Sequence, residues 1–227
     1  MTGEQYLQLE QYMSACMGDS AHDREHIYRV LANALKIGRE EENVDWDVLI
    51  AACLLHDVGR PEQFADPKLC HAEIGSEKAR AFLLEQGYAP AFAEKVAHCV
   101  LTHRFRKARP PQSREARILF DADKLDVTGA LGIARTLMYK GDNGHTIYER
   151  NPDGTINDGS NLAGDSFFRE YKFKLENLYD RFYTEAGSRL AQQRRTIAAA
   201  FYRSLLEEVS DTGTAALREI LEDGDVQ

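Results

Sequence analysis

Along most of the chain, apolar residues recur at spacings of three and four, the pattern that lays a single stripe along an α-helix. The repeat predicts a first helix over residues 4 to 17. It predicts a second over about 20 to 42, with Ile27, Val30, Leu31, Ala34 and Ile37 on one stripe. Asp45 is a suitable N-cap for a third helix carrying Val48, Leu49, Ala52, Cys53 and Leu55, which Gly59-Arg60-Pro61 should end. Further helices are expected at about 72 to 86, 90 to 104 and 113 to 139. The pattern then breaks over Lys140 to Asp165, "KGDNGHTIYERNPDGTINDGSNLAGD", which is crowded with Gly, Asn and Asp. Inside a compact domain a connection of this length points to a functional or mobile loop, one that could close over a bound substrate. Within it, "HTIYE" and "GTIND" can pair as short strands about the turn-forming Asn151-Pro152-Asp153-Gly154. Helical spacing resumes near 166 and continues, with a break at Gly187, to about 222. The pattern implies an all-α helical bundle with one long irregular loop. The chain is expected to be a single domain over 1–227, with a core at about 20–140 and a helical extension at about 166–222.

Four polar residues interrupt this pattern where the helices should face inward. The third helix, within "AACLLHDVGR", brings His56 onto the stripe of Leu49, Ala52 and Cys53, with Asp57 directly after it. On the second helix, His26 shares a stripe with Val30 and Ile37. On the helix containing "EARILFDADKLDVTGALGIA", Asp123 lies among Ala116, Leu119, Phe120, Val127 and Ala130. An unpaired carboxylate taken out of water costs several kcal/mol, so it must be paired, hydrogen-bonded or bound to a metal. His26, His56, Asp57 and Asp123 form a mixed nitrogen and oxygen set suited to a divalent transition metal. Mutual hydrogen bonding among the four is the purely structural alternative.

Composition narrows the classes. At 227 residues, with 43% apolar and 29% charged side chains, the chain has the make-up of an ordinary globular protein. No run reaches the length of a membrane-spanning helix, and the N-terminal "MTGEQYLQLEQYM" lacks a signal-peptide pattern, so a cytoplasmic location is expected. The four cysteines, Cys16, Cys53, Cys70 and Cys99, show no metal-binding spacing and read as reduced core thiols. A net charge of −9 argues against general nucleic-acid binding but leaves room for a local basic pocket.

The order His26, His56-Asp57, Asp123 on a helical chain resembles the HD-domain superfamily of metal-dependent phosphohydrolases. The blocks "HDREHIYRVLANALKI", "LIAACLLHDVGR", "HAEIGSEKARAFL" and "EARILFDADKLDVTGALGIARTL" resemble one bacterial subgroup that includes nucleotide pyrophosphohydrolases. So does the later "FKLENLYDRFYTEAGSRLAQQRRTIAAAFYRSLLEE". The resemblance implies that His26, His56, Asp57 and Asp123 bind one divalent ion, with Mn, Mg, Co, Fe, Ni and Zn undistinguished. It further implies attack by water on a nucleotide or related phosphate ester, including the pyrophosphohydrolysis of a nucleoside triphosphate. Related members are cyclic-nucleotide phosphodiesterases, which gives one alternative; a noncatalytic metal- and nucleotide-binding module is another.

Within that frame Asp57 is a candidate catalytic residue as well as a ligand, able to orient water or accept its proton. Arg60 and Lys124 are candidate phosphate contacts, and Asp126 a hydrogen-bond partner for a ligand histidine. Some HD phosphohydrolases carry an acidic residue where this chain has Arg60, and Glu62 is displaced from it by two positions. His71 and His103 resemble second-metal positions of binuclear members, but those carry an adjacent histidine pair where this chain has His103-Arg104. A mononuclear centre is therefore expected, with His71 and His103 lining the substrate pocket and Arg104, Arg106 and Lys107 adding positive charge. His98 is expected to be structural, and His22 and His145 have no evident partner. Oligomeric state is left open.

Overall fold

A computed structural model describes residues 1–17, 21–104, 109–161 and 164–210, with the backbone alone for 21–23. The described chain is helical apart from one two-stranded ribbon, in agreement with the all-α expectation. It divides into two compact units, Met1–Asp126 with Phe182–Arg189, and Val127–Arg181 with the chain from Leu190 onward. Among the described residues no helix is long and apolar enough to cross a membrane.

The first unit is built around α3 (Trp46–Leu55), whose residues from Val48 to Leu55 are buried except Ile50. Asp45 caps it, with its side chain accepting the Val48 N–H at 3.3 Å. Around α3 pack α1 (Gly3–Met17), α2 (Ala21–Gly38), α6 (Pro90–Thr102) and α7 (Arg114–Leu125), while α5 (His71–Glu85) lies against α6. The expected stripe of α2 is the one that is buried. Such burial contributes about 1.5–3 kcal/mol for each large apolar side chain.

Several boundaries differ from the sequence expectation. Arg60-Pro61 begins a further short helix, α4 (Arg60–Ala65), because proline's fixed φ suits a first turn whose N–H needs no partner. The helix expected over 113–139 is two, α7 and α8 (Gly129–Asp142), separated at Gly129, whose φ of +63° is one that L side chains rarely adopt. The break leaves Asp126 as the C-cap of α7 rather than a mid-helix residue. Past residue 166, α9 (Phe167–Glu170) runs into a π-helical turn at Tyr171–Leu175, and α10 (Glu185–Ser210) passes through Gly187 without interruption. Gly187 serves another purpose: a Cβ there would stand 2.6 Å from Asp121 Oδ2. That buried carboxylate anchors the start of α10 by accepting the N–H groups of Tyr183 and Thr184, at 2.9 and 2.7 Å, and the Thr184 hydroxyl at 2.6 Å.

In the second unit the described residues of the 140–165 segment contact one another. Strands β1 (Glu149–Arg150) and β2 (Ile156–Asn157) pair antiparallel, and the expected turn residues link them. A salt bridge from Lys140 to Asp165 ties the two ends of the segment together. His145 joins it, 3.5 Å from Asp165. Of the cysteines, Cys53 and Cys99 are buried and Cys16 and Cys70 partly exposed, all as free thiols.

Candidate metal centre

Two histidines end helices, and the same local device aims both. His56 caps α3 with Nδ1 2.8 Å from the Cys53 carbonyl, three residues back. His103 caps α6 with Nδ1 2.6 Å from the Val100 carbonyl. The last carbonyls of a helix lack intrahelical donors, so a ring N–H that satisfies one also fixes the tautomer and turns the Nε2 lone pair outward. His26, within α2, has Nδ1 2.7 Å from Asp126 Oδ2. Asp126 in turn accepts a forked pair from Arg29 at 2.7 and 3.0 Å. His71, the first residue of α5, has Nδ1 2.6 Å from Gln63 Oε1 and 3.1 Å from Arg104 Nη1.

Four imidazoles thus present Nε2 to one buried region, with Asp57 at its middle. Asp57 Oδ2 lies 3.6 Å from His26 Nε2 and 3.7 Å from His56 Nε2. Asp57 Oδ1 lies 3.3 Å from His71 Nε2 and 3.6 Å from His103 Nε2. Asp123 Oδ1 joins the first pair, 3.3 Å from His26 and 4.0 Å from His56. Two groups of donors result, His26-His56-Asp123 and Asp57-His71-His103, with the atoms of each within 4.8 Å of one another.

This arrangement is short of positive charge. The Nε2 atoms of His26 and His56 are 3.3 Å apart, and those of His71 and His103 are 3.2 Å apart. With Nδ1 donating at His26 and His56, neutral rings at such a distance would oppose lone pair to lone pair, a contact that a proton or a cation relieves; His71 Nδ1 lies between the Gln63 oxygen and the Arg104 donor. Asp57 Oδ1 is buried and has no hydrogen-bond partner among the described residues. Burial pushes the His56 imidazolium down to about 4 and that of His71 to about 2. At His26 burial acts in the same direction, but hydrogen bonds with Asp123 and Asp126 outweigh it and raise the group to about 9. Burial also opposes the charge on Asp57 and Asp123. The first is nevertheless held well below the ordinary carboxylate range by His56 and Arg60, and the second by its hydrogen bond with His26.

The other expected residues fall into two sets. Arg60 Nε lies 3.0 Å from Asp57 Oδ2, so the guanidinium is anchored on the centre rather than capping a helix end in solvent. His71 and His103 are fully buried donors aimed at Asp57 Oδ1, a different position from the pocket wall expected of them. Lys124 lies over the Phe120 ring, 4.7 Å from its centroid, and Glu62 pairs with Lys78 at 2.7 Å. His98 is half-buried on α6. Arg106, Lys107 and the His22 side chain lie outside the described residues. Sequence reasoning missed Arg29 and Gln63. Arg29 follows His26 by three residues on the same helical face, a signal that was available, whereas Gln63 has no periodicity to mark it.

The HD-domain family model matches residues 24–128, a span that contains all six donors. Over 196 residues the chain is 30% identical to the YpgQ protein of Bacillus subtilis (strain 168), covering 84% of this chain and 85% of that one. The chain belongs to the HD-domain family. Among solved structures, the crystal structure of B. subtilis YpgQ in complex with ADP is similar with a TM-score of 0.67 at 28% identity, over 90% of this chain and 95% of that one. An HD-superfamily hydrolase from Bacillus thuringiensis gives a TM-score of 0.70 at 26% identity, over 92% and 98%.

HD domains bind a divalent metal, and the donors of this one fit such an ion. Two ligand atoms each about 2.1 Å from an ion lie about 3.0–3.4 Å apart at right or tetrahedral angles, and farther apart when more nearly opposed. The separations of 3.3 to 4.0 Å around His26 Nε2 and His56 Nε2 span that range. Ionised carboxylates facing imidazole lone pairs complete a donor set suited to a divalent transition metal. Fold and cluster together are those of a metal-dependent hydrolase.

Proposed function

We propose that this HD-domain protein is a metal-dependent phosphohydrolase of nucleotides or related phosphate esters, acting in the cytoplasm, with nucleoside triphosphate pyrophosphohydrolysis as its specific reaction. The observation that carries the reading is Asp57, a buried carboxylate whose Oδ2 faces His26, His56 and Arg60 at 3.6, 3.7 and 3.0 Å. His26, His56, Asp57 and Asp123 would hold the ion. When bound, it supplies Lewis acidity toward a phosphoryl oxygen and toward water. Asp57, held ionised among cationic and imidazole neighbours, is a weak proton acceptor and serves to hold and orient. Arg60, fixed through Nε, places a guanidinium beside the centre, where it meets the charge that builds on phosphoryl oxygens during transfer. Asp126 fixes the His26 ring, and Arg104 adds positive charge next to His71. The YpgQ structure that contains ADP supports a nucleotide as ligand.

A second reading, a two-ion centre, is favoured by the grouping of Asp57 Oδ1 with His71 and His103. Metal analysis of reconstituted protein separates the two: one equivalent supports the single-ion centre, two the shared-carboxylate centre. For the reaction itself, purified protein is incubated with Mn²⁺, Co²⁺ or Mg²⁺ and a nucleotide panel, and products are identified. Pyrophosphate release that His56→Ala and Asp57→Ala each abolish is the expected result. Unchanged release in either variant refutes the assignment. A linear product from a cyclic nucleotide replaces it with a phosphodiesterase, and tight nucleotide binding without any product replaces it with a binding module.

A further inference from the structure

The six-residue helix α4 carries three residues on one face. Arg60, Gln63 and Phe64 stand at i, i+3 and i+4, the spacing that brings helical side chains within about 5–6 Å of one another at Cβ. Two of the three touch the metal-centre donors: Arg60 Nε is 3.0 Å from Asp57 Oδ2, and Gln63 Oε1 is 2.6 Å from His71 Nδ1. The third, Phe64, is 69% exposed, the most exposed of the large apolar side chains among the described residues. Among the described residues, nothing in the packing of the first unit accounts for a phenyl ring there, since it buries little surface and caps no helix. The segment bearing it is nonetheless held in place. Gln63 Nε2 donates to the Leu69 carbonyl at 2.9 Å while its Oε1 holds His71, and the Lys68 N–H closes a turn on Asp66 Oδ1 at 3.0 Å. The ring therefore stands one residue from a fixed point of the centre and on the same face as its arginine.

We infer that Phe64 is the stacking platform for the base of a nucleotide whose phosphates lie at Arg60 and the metal centre. The assignment rests on the nucleotide reading above and adds to it the element that reads the base. A phosphate tail needs charge, which Arg60 supplies; a base has two apolar faces and needs a flat partner, which an exposed phenyl ring supplies with few degrees of freedom to lose. Stacking of this kind tolerates any base, so the platform contributes affinity for nucleotides as a class rather than choice among them.

The test compares a ligand that has a base with one that lacks it. The dissociation constants of ADP and of inorganic pyrophosphate are measured calorimetrically in the presence of Mn²⁺ for the full chain, Phe64→Ala and Phe64→Trp. Phe64→Ala is expected to weaken ADP by about 5- to 150-fold, the span of one base-aromatic stack, and to leave pyrophosphate within twofold. Phe64→Trp is expected to restore ADP binding. Because the side chain is so exposed, its truncation opens no cavity, and an unchanged urea midpoint verifies this. Equal weakening of both ligands, no weakening of ADP, or no preference of the parent chain for ADP over pyrophosphate each overturns the platform. Turnover is scored separately. Hydrolysis without a Phe64 effect removes the platform and keeps the phosphohydrolase, whereas a Phe64-dependent ADP site without hydrolysis does the reverse.

Discussion

Asp126 offers a sharp test of how the centre is organised. Its carboxylate is almost wholly buried, accepts His26 Nδ1–H at 2.7 Å and takes both N–H groups of the Arg29 fork at 2.7 and 3.0 Å. Replacing it by Asn keeps shape and one acceptor oxygen but removes the charge that holds His26 in its metal-facing orientation. Replacing it by Ala removes acceptor and charge together and strands Arg29. Outer partners of this kind typically change metal affinity by about 10- to 100-fold, or about 1.4–2.7 kcal/mol. The fold also loses hydrogen bonds to a charged group, at about 1.5–3 kcal/mol each when buried. The Arg29 side chain is 33% exposed, which screens its share, so the total cost to stability is set at about 1–3 kcal/mol for Ala and less for Asn. Mn²⁺ affinity, read by competition with a fluorescent chelator, should fall in the order parent, Asn, Ala, with urea midpoints following the same order. If Ala lowers the midpoint but leaves Mn²⁺ affinity unchanged, Asp126 only supports the fold and the proposed orientation of His26 fails.

Asp121, two residues before Asp123 on α7, supplies the contrast: Asp121→Ala should cost about 3 kcal/mol or more by releasing the N–H groups of Tyr183 and Thr184, yet leave Mn²⁺ affinity within twofold, checked by the same two measurements. In Gly59→Ala the added Cβ would stand 2.4 Å from the His71 carbonyl and 2.6 Å from the Gly75 nitrogen, both backbone atoms, so a loss of about 1–3 kcal/mol and disordered His71 ring signals in NMR are expected. pH enters through the metal-free state. His26, raised from 6.5 to about 9, contributes stability that is full below 6.5 and lost as pH rises through about 9. Asp57 and Asp123, held below 3.8, contribute stability present above that value and lost in acid. His56 and His71, lowered to about 4 and about 2, stay neutral in the fold while the unfolded chain takes up protons below 6.5, so urea midpoints of the metal-free protein should peak near 6.5 and fall on both sides. Because metal binding displaces the His26 proton, calorimetry at pH 7 in buffers of different ionisation enthalpy should show release of about one proton per ion.

What the sequence revealed and what it hid divide along a physical line. Periodicity reports which face of a helix is buried, so the stripe of α2 and the inward polar residues His26 and His56 could be read directly. It is blind where a turn interrupts a helix without interrupting the spacing. That is why α7 and α8 read as one element: the apolar spacing runs on through Val127, although α7 ends at Leu125 with Asp126 as its C-cap and α8 starts afresh at Gly129, where φ is positive. Periodicity is equally blind to which of two inward carboxylates does what. Asp121 is more deeply buried than Asp123, yet it anchors α10 while Asp123 faces the histidines, a difference set by partners sixty residues away in one case and nearly a hundred in the other. Proline misled in α4, because the residue that stops one helix is also well suited to start the next.

The two histidines that end helices show how far a local rule can reach. "AACLLH" and "HCVLTH" are both runs of mostly apolar residues closed by a histidine, and in each the ring donates to the carbonyl three residues back. A helix end always has such carbonyls unsatisfied, so a histidine at this position finds an acceptor within its own chain, whatever the rest of the fold does. The tautomer is thereby set by a contact local to each helix, and what the fold adds is the convergence of α3 and α6 that brings His56 and His103 to opposite oxygens of Asp57. The ring centroids of these two residues stand 5.2 Å apart where α3 packs on α6, and the small residues Cys53 and Cys99 lie buried on those two helices near one another. Enlarging either of them should therefore act on metal affinity through the spacing of donors that are themselves already aimed.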